Sequence, residues 1–369
     1  MKLKIAIIGT RGIPNHYGGY EQAASFLSAG LVQKGHAVTV YSSHDHPEHN
    51  KTWKGVEIIH CYDPEYLAGS AGQFIYDLNC IRHARRKNYD IILMMGYTSS
   101  SIWGRFYPKK TIIISNMDGW EWKRRKYSAP VRRYLQYAEK LAVKYSDYFI
   151  ADSPVIQTYL EEKYHIPSKY IPYGAEINNN TDLNVLNEYK VRNRKYFMLV
   201  ARMEPENNIE IILEGFLESK SAYKFIVVSD ANNSFGRKIS GRFKNAENIL
   251  FMGSIFDQQK LHSLRACCSL YFHGHSVGGT NPSLLEAMAS GSIIAAHDNS
   301  FNKAVLGPDA YYFSSPADVK HIIHTFSENK LTDDMKRNNL EKIRQLYNWE
   351  TIIDQYENYI LHCYNERNA

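Results

Sequence analysis

Twice along this chain, short runs of Ile, Val, Leu or Phe alternate with segments of helical period, and a polar, asparagine-rich stretch at 174–193 separates the two series. Alternation of strand and helix implies parallel strands, because each strand can run the same way as the last only if a crossover returns the chain to the starting edge. In the first series Lys4–Ile8 reads as a buried strand, and Glu21–Lys34 as a helix through Ala24, Leu27 and Leu31 that Gly35 ends. Strands follow at Ala37–Ser42, Val56–Cys61, Tyr89–Met94 and Thr111–Ser115, with a helix around Phe74–Arg86. In the second series strands are expected at Tyr196–Ala201, Lys224–Ser229, Ile249–Gly253, Leu270–His273, Ser292–Ala296 and Ala310–Phe313. Helices are expected there at Ile209–Glu218, Gln258–Ala266 and Pro282–Ser290. Ile352, Ile353, Tyr356 and Ile360 recur at helical spacing, so Trp349–Cys363 reads as a terminal helix. The expectation is two α/β domains with Rossmann-like parallel sheets facing a cleft: 1–175, with the helix 349–369 packed back on it, and 176–348.

Composition narrows the function classes. With 44% hydrophobic and 22% charged residues the chain is globular rather than disordered. No apolar run approaches the ~18 residues of a spanning helix, and MKLKIAIIGT reaches a glycine too soon for a signal-peptide core. Five cysteines without a CxxC pair suggest reduced core thiols in a cytoplasmic protein. The net charge of +6 is too modest for a nucleic-acid binder. It is locally concentrated, however: Lys123, Arg124, Arg125 and Lys126 adjoin Trp120, Trp122 and Tyr127, and Arg132 and Arg133 follow. Two readings stand for this block, a solvated helix face and a surface for anionic lipid head groups or a phosphate-bearing acceptor.

In doubly wound sheets the loops after the strands carry ligands. The first, Gly9–Glu21, is too long for a GxGxxG dinucleotide turn. Gly18 and Gly19 either serve the turn alone or let the backbone approach an anion at the following helix, with Arg11 adding charge. The second, HGHSVGGTNPSLLEAMASG at 273–291, places Gly278, Gly279 and Thr280 before an N-cap at Asn281 and Pro282 at the first helical position. That helix start suits a pyrophosphate, and Glu286, one turn in among apolar neighbours, is expected to be buried against a hydroxyl or a cation. The cluster His44, Asp45, His46, Glu48, His49 lacks ligand spacing and reads as a solvated loop rather than a metal site.

SLLEAMASG, ARMEPENNIEIILEGF from Ala201, and YNWETIIDQYENYI resemble retaining glycosyltransferases of family 4, which have the GT-B fold. GTRGIPNHYGGYEQ and NMDGWEWKRRKY are similar, more narrowly, to bacterial rhamnosyltransferases of polysaccharide assembly. The resemblance implies that Glu286 is the second glutamate of an E-x7-E pair and holds the donor ribose, while the first position falls on Gly278. It implies that Arg202 binds the donor diphosphate and that Asn207 stands where a lysine is usual. It implies a nucleotide-sugar co-substrate and no metal, and the chain has no DxD motif. Gly18, Gly19, Gly279, Thr280 and Asn281 are then expected on the donor side, and Arg11, Asp118 and Glu121 on the acceptor side. Asp118 either takes the acceptor hydroxyl's proton or caps a helix. The expected activity is transfer of L-rhamnose from a dTDP donor to a saccharide or lipid-linked saccharide, with peripheral contact at the inner face of the plasma membrane. A nucleotide-sugar epimerase and a non-catalytic nucleotide-sugar-binding module are the alternatives.

Overall fold

The computed structural model describes residues 1–369 except 17, 118 and 327–329. Two compact units account for the chain, the first formed by Met1–Trp122, Ser128–Tyr173 and Trp349–Ala369, the second by Lys123–Tyr127 and Gly174–Asn348.

The first unit is built on an eight-stranded sheet: β1 (Lys4–Ile8), β2 (Ala37–Ser43), β3 (Thr52–Trp53), β4 (Val56–Cys61), β5 (Ile91–Met95), β6 (Ile112–Met117), β7 (Tyr148–Ala151) and β8 (Lys169–Tyr170). Its order is β3-β4-β2-β1-β5-β6-β7-β8, parallel throughout except for the β3–β4 hairpin. Lys54 and Gly55, both at positive φ, make the two-residue turn of that hairpin. Ile5, Ala6, Ile7 and Ile8 are all fully buried, as a central parallel strand covered by helices on both faces requires. Where β1 ends, Gly9 has φ +99°, and a Cβ there would lie 2.5 Å from the Met95 carbonyl oxygen on β5. Gly12, at φ +133°, faces the Ser42 side chain in the same way. The demand for glycine in this loop therefore falls on Gly9 and Gly12, whereas Gly18 is an extended N-cap to the helix Gly19–Gln33.

The helix Trp349–Asn368 belongs to this unit. Trp349 stacks on Phe26 with ring centroids 4.5 Å apart. Gly30 lacks the Cβ that would collide with Ile353, so the helices approach closely. Lys34 pairs with Asp354 and Glu357 at the rim, and Asn116 at the end of β6 donates to the Tyr356 hydroxyl at 3.1 Å.

The second unit holds a six-stranded, wholly parallel sheet of β9 (Tyr196–Val200), β10 (Lys224–Val228), β11 (Ile249–Phe251), β12 (Leu270–His273), β13 (Ile294–His297) and β14 (Tyr311–Phe313). The order is β11-β10-β9-β12-β13-β14, so the winding reverses between β9 and β12, where Met198 pairs with Tyr271. Phe197 anchors the core, with Phe216, Phe225, Phe272 and Phe326 around it at centroid distances of 5.7–6.3 Å.

The asparagine-rich stretch is not a bare linker, since Val185, Leu186 and Val191 are buried in the second unit around a short helix, Asn184–Glu188. Strands β3, β7 and β8 and the helices Pro154–Tyr164, Ser234–Arg242, Ser300–Leu306, Pro316–Thr325 and Lys330–Leu346 add to the elements expected from sequence. The five cysteines are free and buried. Among the described residues no helix is long and apolar enough to cross a membrane.

Candidate active site

The winding of the second sheet reverses between β9 and β12, and beyond the carboxyl ends of strands at such a reversal is the place where open α/β sheets take ligands. The chain leaving β9 carries Arg202 on the surface and then turns through Pro205–Asn207 into the helix Ile209–Ser219. Asn207 is buried and donates from Nδ2 to the Arg202 carbonyl at 2.7 Å. It braces the loop from within, as a short, neutral donor that can be buried without the cost of burying a charge. Asn208, in the left-handed region, donates to the Gly274 carbonyl at 2.7 Å and so ties this loop to the one after β12. Among the described residues the Arg202 guanidinium has no ion pair.

Beyond β12 the loop passes Gly278 at φ +119° with open space beside its Cα. The position of the first expected glutamate thus has a backbone conformation that disfavours any side chain. Gly279 is half-buried and Thr280 buried. Asn281 caps the helix Pro282–Ala289, its side chain accepting the Ser283 N–H at 3.0 Å. Ser283 shares a 2.7 Å hydrogen bond with the Tyr271 hydroxyl.

Glu286 is half-buried rather than buried, and its partner is a cation: Oε2 lies 2.7 Å from Nη2 of Arg265, on the helix Gln258–Cys267. The Arg265 side chain is only 3% exposed. Burial works against its charge, yet Glu286 and Tyr271 outweigh it and raise its pKa. A buried guanidinium thereby fixes the carboxylate in orientation and charge.

Sequence reasoning missed a cluster of buried polar groups at the end of β12 and in the loops after β9 and β12. His273 ends β12 with both ring nitrogens buried and unpaired, and its ring stacks on that of His275, whose Nδ1 is likewise buried and unpaired. Burial holds His275 down to about pKa 3, with Arg202 and Arg124 adding to it, and holds His273 well below its ordinary value. Both rings are neutral at physiological pH. Glu206, 1% exposed in its side chain, has neither carboxylate oxygen hydrogen-bonded; its carbonyl accepts from Ser276 Oγ at 2.8 Å. Arg124 stands 3.6 Å from Glu206 and 3.8 Å from Glu204, and Lys126 pairs with Glu204 at 2.7 Å. Burial would raise the Glu204 pKa, but Arg202, Lys126 and Arg124 together bring it below the usual range. Half of the basic block is therefore engaged on the ARMEPEN loop, and Lys123 and Arg125 are exposed. The signal available in sequence was the pair of glutamates flanking Pro205, opposite in charge to the block.

In the first unit Arg11 does not present an open charge, because its guanidinium is paired with Glu65 and lies 4.0 Å from Asp63. Its N–H donates to Glu21 at 2.9 Å. Gly18 and Gly19 start the helix beside it, and Glu121 is half-buried at the start of a short 3-10 turn. Asp118 lies outside the described residues. Within the histidine cluster, His46 departs from a solvated reading, being buried with Nε2 3.1 Å from the Pro14 carbonyl.

Comparison with known proteins follows the same division. A family described as a domain of unknown function, DUF1972, matches residues 2–176. A protein of Methanocaldococcus jannaschii named as an uncharacterized glycosyltransferase is 24% identical over 236 residues, a match covering 59% of this chain and 59% of that protein's length. Among solved structures, sucrose-phosphate synthase from Thermosynechococcus elongatus superposes with a TM-score of 0.81 at 16% identity, over 99% of this chain and all of the other. Anabaena HepE in complex with UDP-glucose gives 0.75 at 16% identity, over 98% and 100%. A Rickettsia africae glycosyltransferase gives 0.73 at 12% identity, over 98% of each. The fold is of GT-B type, two parallel-sheet α/β domains.

Proposed function

We propose that the chain is a retaining, metal-independent glycosyltransferase of family 4 type that moves a sugar from a nucleoside-diphosphate donor to a hydroxyl of a lipid-linked saccharide, with L-rhamnose from dTDP-rhamnose as the donor. The observation that carries the reading is the convergence, at the winding reversal of the second sheet, of an exposed arginine, a capped helix start and a carboxylate clamped by a buried arginine. These are groups for a diphosphate and a ribose. The neighbouring HepE structures, which hold UDP and UDP-glucose, support the donor class. The rhamnosyl assignment rests on the resemblance of GTRGIPNHYGGYEQ and NMDGWEWKRRKY.

In this reading Glu286 accepts the ribose hydroxyls, and Arg202 and the amides at the start of the helix Pro282–Ala289 stabilise the charge that grows on the diphosphate as the bond to C1 breaks. The acceptor oxygen bonds to C1 on the face the diphosphate leaves, and the departing phosphate oxygen takes the acceptor's proton. Arg202→Ala should then lower turnover ten- to a hundredfold and raise the donor KM far less, since a charge-assisted contact contributes about 1.5–3 kcal/mol where charge develops. Weaker donor binding with turnover intact would reduce Arg202 to a ground-state ligand.

Incubating the protein with radiolabelled nucleotide sugars and membrane extracts tests the activity itself. Label moving into an acceptor supports the reading, and an epimer with free nucleotide, or binding alone, replaces it with one of the alternatives. The membrane contact is tested separately by sedimentation with anionic vesicles. Lys123, Arg132 and Arg133 are exposed, and cations near such a surface contribute about 1 kcal/mol each. Replacing all three by Ser should weaken binding at least tenfold at low salt, and unchanged sedimentation would remove the membrane from the proposal.

A further inference from the structure

Beyond the carboxyl ends of β2 and β4 the first unit leaves large apolar side chains in water. Tyr62 is 48% exposed, Tyr66 64%, Leu67 72% and Ile75 44%. An apolar patch of this kind marks a surface for a partner.

The patch is built rigidly. Tyr62 follows β4, and Asn79 on the helix Gly72–Ala84 donates to its carbonyl at 3.0 Å. Tyr66 lies on the short helix Glu65–Ala68, which packs so closely on the next that a Cβ at Gly72 would come within 2.5 Å of the Glu65 nitrogen. Arg11, in the loop after β1, is paired with Glu65 on that short helix, and its carbonyl accepts the Ser43 N–H at 2.9 Å. The His44 ring, just past β2, packs against both tyrosines at centroid distances of 5.0 and 6.2 Å. Its Nδ1 accepts the Asp63 N–H at 3.1 Å. The two phenol oxygens stand 3.4 Å apart, within reach of a hydrogen bond.

Tyrosine rings held in this way lose little freedom when they are covered, and the negative face of an aromatic ring suits polarised C–H bonds. A pyranose presents C–H bonds on its faces and hydroxyls around its rim. The rim finds partners here in the two phenols and in Asp45, whose side chain is 58% exposed with Oδ1 3.5 Å from His44 Nε2. A carboxylate accepts from hydroxyls but repels an anionic lipid head group, so the chemistry favours a saccharide over a membrane.

We propose that Tyr62 and Tyr66 form a stacking platform for sugar units of the acceptor chain, and that Arg11 is a positioning residue that holds the platform through Glu65. The inference rests on the glycosyltransferase reading above and adds to it the surface of the first unit that recognises an acceptor of several sugars.

Two measurements on the whole protein test it: binding of the fluorescently labelled protein to an array of bacterial oligosaccharides, and transfer of labelled sugar to acceptor in membrane extracts. Tyr62→Ala/Tyr66→Ala should lose at least tenfold in binding to chains of three or more sugars, and should need at least tenfold more acceptor for half-maximal rate. Its donor KM and its rate at saturating acceptor should stay within twofold of wild type. Tyr62→Phe/Tyr66→Phe, which keeps the rings, should remain within threefold throughout, and Arg11→Gln, which keeps the rings and removes their support, should fall between. Melting curves establish that each variant is folded, and the tyrosine pairs decide the matter should Arg11→Gln unfold. Unchanged oligosaccharide binding and acceptor dependence in the alanine variant, or a drop in saturating rate alone, would overturn the platform and leave the glycosyltransferase reading standing. Loss of sedimentation with anionic vesicles, with oligosaccharide binding intact, would give the patch to the membrane instead. A wild type that transfers no sugar would overturn the glycosyltransferase reading, while oligosaccharide binding that the alanine variant loses would still locate a saccharide surface at these tyrosines.

Discussion

Glu286→Gln is expected to cost the protein about 2–4 kcal/mol of stability in addition to donor affinity. The carboxylate is half-buried, but the guanidinium it neutralises is almost wholly enclosed, and an arginine cannot shed its proton to escape. Removing one member of a buried pair leaves an uncompensated charge, at about 3–5 kcal/mol in general; the residual amide acceptor and the exposed side of Glu286 moderate that here. The donor loses a charge-assisted acceptor for its ribose, about 1.5–3 kcal/mol. The two effects separate in Arg265→Met/Glu286→Gln, which removes both charges. Its denaturation midpoint should return to within about 1 kcal/mol of wild type while donor affinity stays low. A single variant as stable as the wild type would show the pair to be solvated, and restored affinity in the double variant would take Glu286 out of the site.

Stability should also fall steeply with acid, because His273 and His275 are held neutral in the folded protein. Their folded pKa values lie below the ordinary 6.5, at about 3 for His275. Below about pH 6.5 the unfolded chain binds protons that the folded one refuses, so the contribution is complete above that pH and is lost as pH falls toward 3. Each histidine gives a slope of about 1.4 kcal/mol per pH unit within that window. Asp77 in the first unit, lifted to about 7 by burial, works with the opposite sign over the same range. The informative quantity is therefore a difference. Urea unfolding at pH 7, 6 and 5 should give a shallower decline for His275→Gln than for wild type, by close to one proton. Parallel declines would mean that the ring is protonated in the folded state.

The sheets were legible because their strands are buried on both faces and so read as unbroken apolar runs, as in Ile91–Met95 and Phe225–Val228. Strand β8 has two residues and β7 begins with a half-buried tyrosine, too little periodicity to register. The helices Lys330–Leu346 and Ser234–Arg242 went unread because most of their residues are polar and the core needs only a few contacts, such as Met335, Ile343 and Ile239. At the site, the helix start at Asn281 was legible, since capping is local chemistry. The partner of Glu286 was not, because Arg265 reaches it from another helix, 21 positions earlier. The role of the basic block was obscured for the same reason: its carboxylates lie 78 and more residues away in the chain.

The helix Trp349–Asn368 also sets the order in which this polypeptide can mature on the ribosome. Until residues 349–368 have been made, Phe26 and Gly30 lack Trp349 and Ile353, Asn116 lacks Tyr356, and an apolar groove of the first unit stays open to water. The second unit is complete by Asn348. The half synthesised first is thus finished last, and the nascent chain carries an aggregation-prone surface throughout translation of its other half. Premature termination anywhere between residues 174 and 348 yields a first unit without its closing helix, a species suited to capture by chaperones and proteases rather than to independent folding.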